Sequence, residues 1–276
     1  KNAKINFRGN RSNPRSDRVD GKIGCRLRGG LANVLPPLVI YHQGGEVRLQ
    51  GPALRAGPPP TPRGSSGLRV LESVSNDCWT VESLKSLIPK LLAGMETSAD
   101  ELNTIDGQLG DGDLGVTLVR GARGLMKVKD DLPEDLGLAM FKCAEALTKE
   151  SGSSYGTLLA TALMAAAKDS KSKTERPWSD ISPILHLAVS AMLKRGKGHL
   201  GAKTVVDTVH LVAEELDRID EPGAALSAAR KAVSESLDHF RDKPCQLGRA
   251  RIFAEKSVGL DDPGMVAFQR ILDSIA

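Results

Sequence analysis

The chain has 276 residues and a formal net charge of +4, with 40% hydrophobic but only 3% aromatic residues. A core of this composition must be built from Leu, Val, Ile and Ala, which favours helices over a β-sandwich. No apolar run reaches the ~18 residues of a membrane-spanning helix, so we expect no membrane span. The four cysteines (Cys25, Cys78, Cys143 and Cys245) form no CxxC pair. They favour free thiols in a reducing, cytoplasmic compartment over a disulfide framework or a zinc site.

The first 77 residues differ in composition from the rest of the chain. They carry 13 Lys and Arg against 5 Asp and Glu, and about a quarter of them are Gly or Pro. Such a composition predicts an irregular or disordered segment. Its basic start contains no recognisable nucleic-acid module, which favours a solvated tail over nucleic-acid binding. We therefore divide the chain into a segment at 1–77 and a mildly acidic helical domain at 78–276.

Beyond residue 78 the apolar periodicity predicts an all-α domain of about eight helices with no strand. Thr80 caps the first helix, Pro89 kinks or restarts it, and a capping box at 98–101 starts a short helix that leads to residue 106. A further helix is predicted at 248–256. Polar loops with unusual chemistry can meet at one end of an up-and-down bundle; they lie at 106–117, 149–156, 195–201 and 259–264.

The loop at 105–117 concentrates acidic residues and glycines. Asp106, Asp111 and Asp113 lie within eight positions, and four glycines accompany them. Clustered carboxylate oxygens suit Mg²⁺ or Ca²⁺ and do not suit Zn²⁺. The glycines predict a loop in place of a regular helix here. On spacing alone, a solvated acidic turn between two helices explains the pattern equally well.

A second polar loop, at 149–156, runs through Gly and Ser directly into a helix of small apolar residues. The free N–H groups at such a helix start suit a phosphate. The same residues also make an ordinary helix cap. The residues of this loop leave both interpretations open.

Four motifs together resemble one known family. They are the stretch from Leu102 to Gly115; Ser151-Gly152 with Tyr155-Gly156; Gly201-Ala202-Lys203-Thr204 with Asp207; and Gly248-Arg249-Ala250 with Asp262-Pro263-Gly264. In this order they resemble the nucleotide-binding L subunit, or C-terminal domain, of dihydroxyacetone kinases. The resemblance covers roughly residues 79–276 and leaves 1–77 unexplained.

The resemblance implies a fold and a site. The fold would be an eight-helix antiparallel barrel that binds ATP or ADP at one end. Asp106, Asp111 and Asp113 would hold two Mg²⁺ ions against the nucleotide phosphates, and no residue is assigned a catalytic role. The implied nucleotide contacts are Leu114, Gly115, Val116, Thr117, Ser151, Gly152, Gly201, Thr204, Arg249, Asp262, Pro263 and Gly264.

The resemblance also implies a function. The chain would be the nucleotide-binding component of a keto-sugar kinase, and a separate K subunit would hold the ketose covalently through a histidine. The phosphoryl donor would be either ATP itself or a phosphotransferase-system protein that recharges bound ADP, and self-association stays open. We expect neither nucleic acid nor a membrane as a partner.

Two departures from the family pattern favour an alternative function. Leu114 stands where the family often has His or Thr, and Thr148-Lys149 stand where it usually has two glycines. These changes favour a nucleotide-binding regulatory or interaction module without turnover. A third hypothesis, a metal-binding helical domain without nucleotide, is disfavoured by the two C-terminal motifs.

Overall fold

The computed structural model describes residues 78–219 and 222–276. The segment predicted to be irregular, 1–77, therefore lies outside the described residues, and the division at residue 78 stays a prediction. Eight α-helices make up most of the described part. They are α1 (Val81–Leu109), α2 (Leu114–Val128), α3 (Leu136–Glu150), α4 (Ser154–Asp169), α5 (Ile181–Gly196), α6 (Val205–Leu216), α7 (Pro222–Arg241) and α8 (Pro263–Ser274).

The eight helices close into a ring. Each helix packs against the next one in chain order, and α8 packs against α1. Apolar side chains fill the interior, with Leu136 and Met265 among those fully buried. The predicted all-α, eight-helix architecture is confirmed.

Helix α1 is one continuous helix of 29 residues, although two were predicted. Its buried residues recur at every seventh position: Val81, Ile88, Met95, Leu102 and Leu109. This stripe faces the core along the whole length of the helix. A proline inside a helix costs about 3 kcal/mol, and burial of five apolar side chains at about 1.5–3 kcal/mol each outweighs that cost. The predicted restart near Pro89 and the predicted cap at 98–101 are therefore wrong.

Two three-residue strands, which the sequence did not predict, tie the start of the domain to the α4–α5 connection. Strand β1 (Cys78–Thr80) pairs antiparallel with β2 (Glu175–Pro177), and Trp79 lies opposite Arg176. The buried Arg176 guanidinium donates to Asp169 at 2.6 Å and to Asp180 at 2.8 Å. These contacts fix the point at which α1 begins.

Two of the four thiols follow the sequence expectation. Cys143 and Cys245 are free and buried, and burial raises the pKa of the Cys143 thiol to about 11. Cys25 lies outside the described residues, so the expectation of a free thiol there stays a prediction. Among the described helices, none combines the length and the apolar character needed to cross a bilayer.

Candidate metal centre and cavity

A cavity of about 490 Å³ lies at one end of the ring. Because the helices alternate in direction, every even-numbered helix begins at this end. Each of their N-cap residues lines the cavity: Asp113 for α2, Ser153 for α4, Thr204 for α6 and Asp262 for α8. Helix N-termini present free N–H groups and partial positive charge, so four of them around one cavity favour an anionic ligand.

The structure brings nine of the fifteen predicted site residues to this cavity. They are Asp106, Asp111, Asp113, Leu114, Thr204, Arg249, Asp262, Pro263 and Gly264. The other six lie outside its lining. Gly115, Val116 and Thr117 follow in the first turn of α2, Ser151 and Gly152 form the α3–α4 turn, and Gly201 precedes α6. The binding roles of all fifteen residues stay predictions.

The three carboxylates form one cluster. Each of Asp106, Asp111 and Asp113 offers an oxygen, and these oxygens all lie within 4.8 Å of one another. Asp106 is on the last turn of α1, so the helix extends further into the glycine-rich stretch than predicted. Its Oδ2 accepts from Gly112 N at 2.9 Å and from Asp113 N at 3.1 Å. The turn between them needs Gly112, which has φ +75°.

The donor set of this cluster fits a hard divalent cation. All three side chains are carboxylates, whose oxygens Mg²⁺ and Ca²⁺ prefer. Asp111 and Asp113 are exposed, whereas Asp106 is partly buried, which leaves the outer face of the cluster open to water or a ligand. Repulsion among three close carboxylates favours a bound cation. The residues present therefore fit the magnesium site that the sequence predicted.

The start of α2 is held against α1 by a side chain and by a close backbone approach. Asn103 Oδ1 accepts from Gly115 N at 2.8 Å and from Val116 N at 3.2 Å. A Cβ added at Gly115 would lie 2.1 Å from the carbonyl oxygen of Ala99. Gly115 is therefore required for the helix crossing that places Asp113 beside Asp106.

Replacing Gly115 by Ala should destabilise the fold. We expect a loss of about 2–3 kcal/mol, because the Cβ would overlap rigid backbone and force α2 away from α1. Urea unfolding measures the change. Gly152→Ala is the matched control, since a Cβ there meets nothing within 4 Å. Equal stability of the two variants would contradict the packing role of Gly115.

The start of α6 is organised by Asp207, which is buried. Its Oδ1 accepts from Gly201 N at 2.6 Å, and its Oδ2 accepts from Thr204 N at 2.8 Å. Thr204 Oγ1 in turn accepts from Val206 N at 3.2 Å. This capping network fixes the turn 201–204 beside the cavity. Asp207 is therefore bonded to backbone groups of the turn that it caps.

Lys203 is the largest of the fully buried side chains, with 0% of its surface exposed. Its Nζ donates to the carbonyl oxygens of Arg241 at 2.9 Å, Lys243 at 2.8 Å and Ser257 at 2.8 Å. Burial lowers its pKa below the usual range for lysine. These bonds join the end of α7 and residue 257 to the turn before α6.

Asp262 is a carboxyl group in the cavity lining whose pKa differs strongly from its usual value. Burial raises the pKa of its carboxyl to about 7, against the opposing effects of the hydrogen bonds from Met265 and Gly264 and of the charge on Lys203. Its Oδ1 caps α8 by accepting from Met265 N at 3.0 Å. The carboxyl of Asp262 therefore changes charge near neutral pH.

The free energy of unfolding should depend on pH because of Asp262. Because the folded pKa of about 7 lies above the reference value of 3.8, this group stabilises the fold fully below about pH 4 and loses that contribution as the pH rises to about 7. Asn caps helices as well as Asp does. We expect Asp262→Asn to gain stability relative to wild type between pH 5 and pH 8, as measured by urea unfolding. If the free energies of unfolding of wild type and Asp262→Asn changed in parallel with pH, the raised pKa of Asp262 would be contradicted.

Several residues that line the cavity were not among the predicted site residues. Tyr155 lies beside Gly264, and its hydroxyl is buried without a hydrogen-bond partner among the described residues. Arg195, in the last turn of α5, and His199, in the turn that follows this helix, also line the cavity. The turn was noted as a polar loop, and the positive charges within it were the signal that could have identified it.

The fold and the cavity define the class of the protein. The described residues form a ring of eight α-helices with a carboxylate cluster and four helix N-termini at one end. The DAK2 domain family matches residues 108–276. This match covers more than half of the chain, and the chain belongs to the DAK2 domain family.

Relatives with known names share this part of the chain. Human triokinase/FMN cyclase is 31% identical over 191 residues, which cover 67% of this chain and 32% of the human protein. The ADP-binding subunit DhaL of the PEP-dependent dihydroxyacetone kinase of Escherichia coli is 24% identical over 188 residues, which cover 65% of this chain and 88% of that subunit. The chain therefore spans about a third of the triokinase and most of the bacterial subunit.

Solved structures of the C. freundii dihydroxyacetone kinase share the fold. The native form has a TM-score of 0.56 at 21% identity, and the match covers 70% of this chain and 34% of that one. The complex of the same enzyme with AMP-PNP and Mg²⁺ has a TM-score of 0.54 at 20% identity, with coverages of 79% and 38%. These matches support the helical architecture independently of the sequence motifs.

Proposed function

We propose that this chain is the nucleotide-binding component of a dihydroxyacetone-type kinase. It would bind ATP or ADP in the cavity at the end of the ring. The observation that carries the proposal is the carboxylate cluster, whose three oxygens lie within 4.8 Å of one another, beside four helix N-termini. The names of the relatives support it, since the bacterial ones include ADP-binding subunits of dihydroxyacetone kinases.

The chemistry of the site fits phosphoryl transfer. Such reactions depend on positioning the phosphates and on neutralising their charge. Asp106, Asp111 and Asp113 would hold Mg²⁺, two ions in our proposal, and bound Mg²⁺ supplies the positive charge that the phosphates require. The N–H groups at the starts of α4 and α6 would orient the phosphates. Arg249 lines the same cavity and would add a positive contact.

The sugar and its binding site belong to the proposed partner. We propose that a K subunit or domain holds the ketose and receives the phosphoryl group. The E. coli subunit, most of which this chain covers, supports a component that works with a separate partner. ATP and a phosphotransferase-system protein are the two proposed sources of the phosphate. Self-association and a cytoplasmic location are further parts of the proposal.

A transfer assay tests this function. Purified chain, ATP, Mg²⁺ and dihydroxyacetone are combined with the K subunit of a bacterial relative, and dihydroxyacetone phosphate is measured. We expect product only when both proteins are present. Nucleotide binding without product, tested with ATP and with a phosphotransferase-system donor, would favour the regulatory alternative. Leu114, a departure from the family pattern, is buried in the cavity wall and is the first position to examine in that case.

A further inference from the structure

Arg249 and Asp111 form a direct ion pair at the mouth of the cavity. Arg249 Nη1 contacts Asp111 Oδ2. Among the described residues, Asp111 has no other ion-pair or hydrogen-bond partner, whereas Asp106 is engaged by two backbone N–H groups. The oxygen that Arg249 contacts thus belongs to the member of the carboxylate cluster that the protein otherwise leaves unpaired.

The position of Arg249 allows it to move. Its side chain is 58% exposed and that of Asp111 is 46% exposed. It follows Gly248, which has φ +68° and nothing within 4 Å of a Cβ, and it precedes a short 3-10 helix, Ala250–Phe253. Release of the guanidinium from Asp111 therefore breaks no buried contact.

We propose that Arg249 is a counter-ion that competes with metal for Asp111 and exchanges the carboxylate for a nucleotide phosphate. A cation that enters the cluster needs the carboxylate that Arg249 contacts. The displaced guanidinium finds a new partner in a phosphate bound at the neighbouring helix N-termini, where charge-assisted bidentate bonds are strong. This inference rests on the proposed nucleotide site and adds an order to it. Arg249 lowers the affinity of the site for metal when nucleotide is absent. When nucleotide is bound, Arg249 contacts its phosphate and raises the affinity for metal.

The ion pair between Arg249 and Asp111 should weaken metal binding only modestly, because both side chains are largely exposed. Exposed ion pairs contribute little to stability, so removal of the arginine should tighten the binding of metal alone by only about three- to fivefold. The effect on the loaded site should be larger, because a phosphate contact is lost. Thermodynamic reciprocity requires nucleotide and metal to strengthen each other by the same factor. In wild type that factor should therefore exceed the factor in Arg249→Gln.

The test is a set of Mn²⁺ titrations of the full chain, followed by electron paramagnetic resonance, without nucleotide and with saturating ADP. For Arg249→Gln we expect Mn²⁺ alone to bind about three- to fivefold more tightly than in wild type. We expect the gain in Mn²⁺ affinity caused by ADP to fall at least about tenfold. Arg251→Gln is the matched control, since Arg251 is an exposed arginine two residues away. It removes the same charge and should leave both quantities near the wild-type values.

Two results would overturn the inference. One is equal or weaker Mn²⁺ binding by Arg249→Gln in the absence of ADP. The other is an equal change in Arg251→Gln, which would assign the effect to overall charge. Failure of the proposed function would give a different result, because ADP would then not change the Mn²⁺ affinity of wild type. The comparison of Mn²⁺ affinity between wild type and Arg249→Gln without ADP would still test the competition for Asp111.

Discussion

Asp111→Asn should reduce the affinity for ADP in the presence of Mg²⁺ by about 100-fold, because a three-carboxylate site loses one charged ligand. The stability of the protein without ligands should change by less than about 0.5 kcal/mol, since Asp111 is exposed and its ion pair with Arg249 is solvated. Isothermal titration with ADP at fixed Mg²⁺ measures the first quantity, and urea unfolding measures the second.

Asp100→Asn is the control for this variant. Asp100 is exposed on α1, outside the lining of the cavity, and the substitution removes the same charge. We expect it to bind ADP as wild type does. If Asp111→Asn and Asp100→Asn bound ADP equally well, Asp111 would not be a ligand of the metal site.

The largest loss of stability is expected for Lys203→Met. Three carbonyl oxygens, the partly buried ones of Arg241 and Lys243 and the buried one of Ser257, would lose a charged donor. Methionine keeps the apolar stem but offers them no hydrogen bond. Because each unsatisfied buried acceptor costs about 1–3 kcal/mol and relaxation recovers part of it, we expect a loss of about 3–5 kcal/mol in urea unfolding.

Lys197→Met is the matched control for Lys203→Met. Both lysines have positive φ, +49° at Lys197 and +58° at Lys203, so the backbone cost is the same in the two variants. Lys197 is exposed at the end of α5, and its loss should cost less than about 0.5 kcal/mol. Similar losses in the two variants would show that the buried hydrogen bonds of Lys203 contribute little.

The fold was largely predictable because its signals are local and agree with one another. The spacing of apolar residues predicted the helices. The family resemblance predicted that eight antiparallel helices close into a barrel. The error in α1 came from applying the proline rule to Pro89 without weighing the seven-residue stripe of buried positions around it. The predicted helix at 248–256 is a short 3-10 helix at Ala250–Phe253 flanked by turns. The left-handed backbone at Gly248 supports such a turn.

From the residues alone, the candidate site was predictable only where its residues are close in sequence. The distant residues Thr204, Arg249 and Asp262 were predicted through the family resemblance. Asp106, Asp111 and Asp113 lie within eight positions, and they were identified together. The acceptors of Lys203 lie 38, 40 and 54 positions away, so no local pattern could indicate that this lysine is buried. The ion pair between Asp111 and Arg249 likewise depends on the ring, which brings the start of α2 and the segment before α8 together.

The dependence of nucleotide binding on metal tests the central claim most directly. The unfolding temperature of the wild-type chain is measured with ADP alone, with Mg²⁺ alone and with both. At about 100 times the dissociation constant, a ligand stabilises by about 2.7 kcal/mol, which corresponds to a shift of roughly 5–10 °C for a domain of this size. We predict this shift only when ADP and Mg²⁺ are present together. An equal shift with ADP alone, or none with both, would contradict a carboxylate–metal nucleotide site.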